Sequence, residues 1–272
     1  MLPFELKGTL TAFLSSTELN VIDQPLFYLL ATLAVLIVGI SKGGFGGGLA
    51  VAGVPLMSLV IPPFQAAAIL LPILCLMDLA GLRAYWGKWH RPNLRIMVPG
   101  AIAGIVLASF TYRWISEDML RLLIGGIAIV FSLNYYLSQW LAPKDARGIS
   151  WFRGSFWSAL SGFTSFAAHA GGPPISIYLL PQRLDKTQLV GTTVVFFALV
   201  NYIKLIPYAL LGQFDPGNLL TALVLMPVAI VGVQLGVWLH HHVDAVWFYR
   251  LSYAFLLITG GRLFLQGLGV TS

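Results

Sequence analysis

Apolar residues run in long stretches along this chain, and polar residues gather in the short intervals between them. The stretches fall at about 25–41, 49–61, 65–86, 96–112 and 119–141, then at about 153–168, 172–181, 188–211, 218–239 and 247–267. They lack the strict alternation of a transmembrane β-strand. A spanning helix needs about 20 apolar residues, and 49–61 and 172–181 fall short of that. Each of these two follows a glycine-rich interruption. The first is Gly39-Ile-Ser-Lys-Gly-Gly-Phe-Gly-Gly-Gly48, and the second is Gly162-Phe-Thr-Ser-Phe-Ala-Ala-His-Ala-Gly-Gly-Pro-Pro174. Glycine and proline do not continue a helix well. Irregular backbone at membrane depth survives only inside protein or beside a cavity. Each interrupted pair therefore reads as a hairpin of broken or re-entrant helices, and such breaks in both halves of a chain point to a transport site.

The two sets of stretches read as repeats. At an offset of 123, Gly39 meets Gly162, Gly48 meets Gly171, Gln65 meets Gln188, Asp78 meets Asn201 and Tyr85 meets Tyr208. Further on the offset becomes 128, where Pro99 meets Pro227 and Gly104 meets Gly232. The expected organisation is a lead-in over 1–24, a first repeat over 25–141, a cytoplasmic linker over 142–152 and a second repeat over 153–272. Loop charges give the orientation. Lys88, Arg91 and Arg95 follow the third stretch, whereas the matching loop at 211–217 has no Lys or Arg. Conversely, Arg183 and Lys186 follow the second hairpin, and 61–64 carries no base. Basic loops stay on the cytoplasmic side, so the halves are expected to insert in opposite senses. Five stretches per half, an odd number, give that inversion. Lys144, Arg147 and Arg153 keep the linker inside, which leaves both termini outside; Arg113 and Arg121 on the outer side run against the rule.

Composition agrees. The chain of 272 residues is 58% hydrophobic and 10% charged, with a mean hydropathy of +0.84; soluble domains carry about 25% charged residues. The expected fold class is therefore an all-α polytopic membrane protein. The net charge of +6 is explained by cytoplasmic loops, and no basic-aromatic stripe for nucleic acid accompanies it. Cys75 is the one cysteine, which excludes an intrachain disulfide. The start of the chain lacks a basic region followed by a cleavable apolar stretch, so no signal peptide is expected. Gly100 and Gly104, like Gly232 and Gly236, stand four apart and read as close helix contacts. Trp86, Trp89, Trp140 and Trp238 lie near stretch ends and read as interface anchors.

Ionisable residues inside a membrane are costly and are functional candidates by default. Lys42 sits in the first break among glycines. It reads either as a positive charge facing a central anion or as a lysine snorkelling to the interface. Gly43, Gly44, Gly46 and Gly47 would let a ligand approach the backbone. In the second break, Ser165 and His169 offer hydrogen bonds, and His169 offers a proton as well; Gly171 and Gly172 open the short helix behind them. Asp78 and Asn201 match in the repeats, and Lys204 follows Asn201 on the same helix face, so Asn201 and Lys204 are further candidate contacts for the anion. Asp78 reads as the partner of Lys42 or Lys204, or as a proton carrier. Arg83 reads as an anchor or an anion contact. The run His240-His241-His242 points three ways around a helix and does not make a metal site. The glycine run has no preceding strand and no Gly-Lys-Ser/Thr ending, so it is not a nucleotide loop.

With Gly43-Gly-Phe-Gly-Gly-Gly48 followed by Pro55 in one half, and Gly171-Gly-Pro-Pro174 in the other, the chain resembles the sulfite exporter TauE/SafE family of membrane transporters from about Phe27 to Leu268. It departs from the family's fuller glycine run at His169-Ala170. The resemblance implies a multi-pass protein of the bacterial inner membrane that moves a sulfur-containing anion such as sulfite, sulfoacetate or another organosulfonate, often outward. Joined to the residue reading, it gives a secondary transporter working by alternating access with proton coupling through Asp78 or His169. Its partners are the anion, the bilayer and, as one option, a second copy in a homodimer. No cofactor, metal or catalytic residue is expected. A passive anion channel and a carrier for a small carboxylate are the alternatives. A membrane enzyme would need clustered acids or a nucleophile-base pair. One prediction follows from the loop charges: single cysteines replacing Lys88 and Gln213 should be labelled by an impermeant maleimide from opposite sides of the membrane. Labelling of both from one side would refute the opposed insertion.

Overall fold

The computed structural model describes residues 22, 24–45, 48–141, 148–242 and 246–270. Most of the lead-in, Gly46 and Gly47 of the first break, and Lys144 and Arg147 of the linker lie outside the described residues. Among the described residues ten α-helices follow in order: α1 (Pro25–Gly44), α2 (Gly53–Met57), α3 (Pro63–Ala84), α4 (Arg91–Thr111), α5 (Glu117–Leu141), α6 (Trp151–Ala168), α7 (Gly172–Leu179), α8 (Lys186–Leu210), α9 (Pro216–His242) and α10 (Val246–Gly267). Short 3₁₀ turns at Gly48–Ala52 and Leu180–Gln182 extend the two broken hairpins. There is no strand among the described residues. Six of the helices, α1, α3, α4, α5, α8 and α9, are long and apolar enough to cross a membrane. The protein is an all-α polytopic membrane protein.

Local chemistry explains where the helices start. Proline occupies the first turn of α1, α3, α4 and α7, where its missing N–H costs nothing. The Asp185 carboxylate accepts from the N–H groups of Thr187 and Gln188 at the head of α8, 3.0 and 3.2 Å away. Ser150 Oγ accepts from Arg153 N at the head of α6. Each of these caps satisfies N–H groups that a helix leaves without internal partners.

The halves interlock rather than stand side by side. Helix α1 packs along α9, and α4 packs along α6. Helix α3 meets α8 and α9, α8 meets α4, and α5 pairs with α10 at the periphery. The close approaches use glycine. A Cβ on Gly39 would press on the Gly232 backbone, and one on Gly43 or Gly44 would strike carbonyls of Val233 or Gly236. On the other contact, Cβ atoms on Gly100, Gly104 and Gly162 would strike the backbone at Ser155, Ala159 and Ala101. Hydrophobic association is weak between helices in lipid, so such close van der Waals contact carries the packing.

The charged outer ends are also accounted for. Arg121 pairs with Glu117 and Asp118 at 3.3 and 3.1 Å, so its charge on the expected outer side is locally neutralised. Arg83 and Trp86 are exposed, as interface anchors are.

The packing makes two glycines respond oppositely to the same substitution. Gly104→Ala should lower stability by about 1–3 kcal/mol, because its Cβ meets backbone that cannot give way. Gly261→Ala meets nothing within 4 Å and should raise stability by about 0.5–1 kcal/mol, the usual helix gain. Thermal melting in detergent reads both, and equal shifts of one sign would refute the packing argument.

Candidate functional site

Lys42 lies in the last turn of α1, where a cation suits the partial negative charge of a helix C-terminus. Its Nζ forms an ion pair with Asp78 Oδ1 of α3 at 2.5 Å and donates to the Leu74 carbonyl oxygen at 3.5 Å. Asn201 of α8 donates from Nδ2 to the other carboxylate oxygen, Oδ2, at 2.7 Å. Both charged side chains are buried. Desolvating two ions is expensive, and the cost is offset only by close geometry and hydrogen bonds to the remaining lone pairs. The Asn201 amide is that extra bond. The sequence left open whether Asp78 faces Lys42 or Lys204; the structure pairs it with Lys42.

Lys204 of α8 is held differently. It is wholly buried, yet no carboxylate touches it among the described residues. Its Nζ donates to the Ser165 carbonyl oxygen and to Ser165 Oγ, both at 3.0 Å, and lies 2.8 Å from His169 Nδ1. His169 Nε2 lies 2.9 Å from the Ala67 carbonyl oxygen. A carbonyl oxygen only accepts, so Nε2 carries the ring proton. Nδ1 then has a lone pair for Lys204. All three ammonium hydrogens find acceptors, none of them charged.

The backbone at His169 is unusual. It adopts the left-handed conformation, φ 53° and ψ 25°, a region that glycine enters most cheaply and that histidine enters at some cost. The ring supplies the reason: from this position it bridges Ala67 of α3 to Lys204 of α8. The departure from a glycine run at His169-Ala170 thus falls on the residue that ties the second break to both long helices.

Between the two lysines lies a small cavity lined by Lys42, Ala50, Leu74, Ser165, His169, Phe197 and Asn201. About 10 Å³ is open to the centre of a water molecule, room for one water. Asp78 and Lys204 stand behind this lining, Asp78 against Lys42 and Asn201, and Lys204 against Ser165 and His169.

Of the residues singled out in the sequence, Lys42, Ser165, His169 and Asn201 meet at the cavity. Gly43 and Gly44 do not line it; they let α1 touch the backbone of α9. Gly171 and Gly172 head α7, with Gly171 close against Ser161 and Ser165 of α6. Sequence reasoning passed over three groups that hold the broken helix ends. Tyr85 donates its hydroxyl to the Gly43 carbonyl oxygen at 2.7 Å, and Tyr208 donates to the Phe166 carbonyl oxygen at 2.7 Å. Donors and acceptors are both 123 positions apart, so the repeat offset carried the signal. His240 Nδ1 sits 2.7 Å from the Gly44 carbonyl oxygen and edge-on to the Tyr85 ring. A role for this histidine is hidden in sequence by the run of three.

Comparison with known proteins gives a family. The model of the family described as sulfite exporter TauE/SafE matches residues 31–263, and the chain belongs to that family. Neither the curated proteins nor the solved structures gave a match.

The tyrosine hydroxyls can be tested directly. Tyr85→Phe and Tyr208→Phe each leave a buried carbonyl oxygen unpartnered and should each cost about 1–3 kcal/mol. Melting in detergent measures this, and an unchanged midpoint in both variants would show that these bonds do not hold the breaks.

Proposed function

We propose that this member of a membrane transporter family binds sulfite or an organosulfonate at the cavity between the two breaks and exports it across the bacterial inner membrane. The observation that carries the reading is Lys42: a buried cation, at the end of an interrupted helix, bordering a cavity whose other polar groups are Ser165, His169 and Asn201. An oxyanion offers acceptors in several directions. Lys42 contributes charge, and the Asn201 amide and Ser165 hydroxyl contribute donors. Gly171 and Gly172 head α7 behind Ser165 and do not border the cavity, and Pro173 and Pro174 beside them carry no N–H for an anion.

The cavity size favours a carrier over an open pore. Space for one water is too small for a sulfur oxyanion, so the anion enters only when the surrounding helices part. The proposal is therefore alternating access, with the two halves inserted in opposite senses and rocking about the cavity. The matching bonds Tyr85 to Gly43 and Tyr208 to Phe166 support a repeat relation between the halves. Proton coupling belongs to the same proposal. An anion arriving at Lys42 competes with Asp78, and a carboxylate losing its cation in a dry site favours taking a proton. His169 is less suited to that proton, because Nε2 already donates to the Ala67 carbonyl oxygen and Nδ1 already accepts from Lys204.

Proteoliposomes test the reading. The native protein should take up labelled sulfite with saturation and be accelerated by sulfite on the opposite side. A folded Lys42→Ala protein should lose at least about nine-tenths of that flux, since losing about 1.4 kcal/mol of anion binding already lowers affinity tenfold. Native-like uptake by a folded Lys42→Ala protein would remove the lysine from the site. Flux without saturation or acceleration would point to a channel.

A further inference from the structure

The central charges do not cancel, and their balance selects among anions. Among the described residues, Lys42 on α1 and His169 at the end of α6 line the cavity, Asp78 on α3 and Lys204 on α8 stand behind the lining, and the Cys75 thiol lies near them without a formal charge. Lys42 is matched by Asp78. His169, with Nε2 donating to Ala67 and Nδ1 facing an ammonium, adds no charge. Lys204 has three uncharged acceptors and no carboxylate among the described residues. The cluster thus holds a formal charge of one positive unit, in surroundings where an uncompensated charge is costly.

Resting on the sulfur-anion reading above, we propose that the site is built for monovalent oxyanions and that Asp78 is the residue that sets this selectivity. One bound negative charge neutralises the cluster. A second leaves it negative, and Asp78 lies against the cation that the anion must approach. The substrates are therefore hydrogensulfite and simple alkanesulfonates, and anions with two charges are rejected. Asp78 acts through Lys42 without lining the cavity, so it is a positioning residue whose effect is on charge preference. Asp78→Asn keeps the shape of the side chain and an oxygen for Asn201, and raises the cluster to two positive units.

Two probes with fixed charge near neutral pH separate the cases. Methanesulfonate carries one negative charge and sulfate carries two, with similar oxygen geometry. Binding of each to the purified full chain is measured by calorimetry at constant ionic strength, with sulfite as the reference ligand. The native protein should bind methanesulfonate at least about tenfold more tightly than sulfate, and Asp78→Asn should move that ratio at least about tenfold toward sulfate. If sulfite binds but sulfate is preferred to methanesulfonate, or the ratio is unchanged in a folded Asp78→Asn protein, the selectivity role is overturned while the transporter reading stands. If no sulfur anion binds, both fall. Should Asp78→Asn fail to fold, the native ratio decides alone.

Discussion

An ion pair held where water is scarce governs this structure. Lys42 and Asp78 come from different helices and are buried together. Their mutual attraction offsets desolvation only while α1 and α3 keep their places. Asn201 extends the constraint to α8 by holding the second carboxylate oxygen. Lys204, on the next turn of α8, extends it to Ser165 and His169 at the second break. Through these few polar contacts both interrupted helices are tied to the two long helices between them. The apolar packing around them tolerates more: lipid and neighbouring helices are equally apolar, so it ranks alternative arrangements only weakly.

The interruptions make that polar centre possible. A continuous helix satisfies its backbone internally and presents only side chains. An interrupted one frees carbonyls at one end and N–H groups at the other. In the first break the freed carbonyls of Gly43 and Gly44 are taken by Tyr85 and His240. In the second, Tyr208 takes Phe166, while Ser161 and Thr164 donate to Gly171 and Ala170. The described helix ends at both breaks are capped, and the room left between them is small.

Much of this was legible in the sequence. The stretches at 65–86 and 188–211 anticipate α3 and α8 within two residues at each end, because a membrane span imposes a length and a composition that few other structures share. The glycine breaks were equally plain. Lys42, Ser165 and His169 come to one cavity from the two breaks that the sequence marks, and Asn201 joins them from α8. What sequence could not supply was direction. Glycines at 43 and 44 look available to a ligand until the structure turns them against α9. Lys204 looks like a ligand-facing cation until its three hydrogens prove to be taken. Side-chain direction at a helix break depends on a few backbone angles, and no periodicity encodes those. Tyr85 and Tyr208 were visible as a matching pair, but a hydroxyl donating to a distant carbonyl leaves no local pattern.

At the offset of 123 the two halves share spacing but not chemistry, and physics gives a reason. Asp78 and Asn201 occupy matching positions and touch each other, 2.7 Å apart. Two carboxylates at that distance could not both be ionised, so a strict copy of the first half would force a proton onto one of them. An amide at 201 removes the conflict and turns repulsion into a hydrogen bond. Lys42 likewise matches Ser165, and the second lysine appears three residues after Asn201, where the first half has Gly81. A symmetric pair of lysine–aspartate bridges would sum to zero and leave nothing to draw an anion inward. Replacing one acid by an amide, and seating the second lysine on uncharged acceptors, leaves a formal surplus of one positive charge at the centre of the fold.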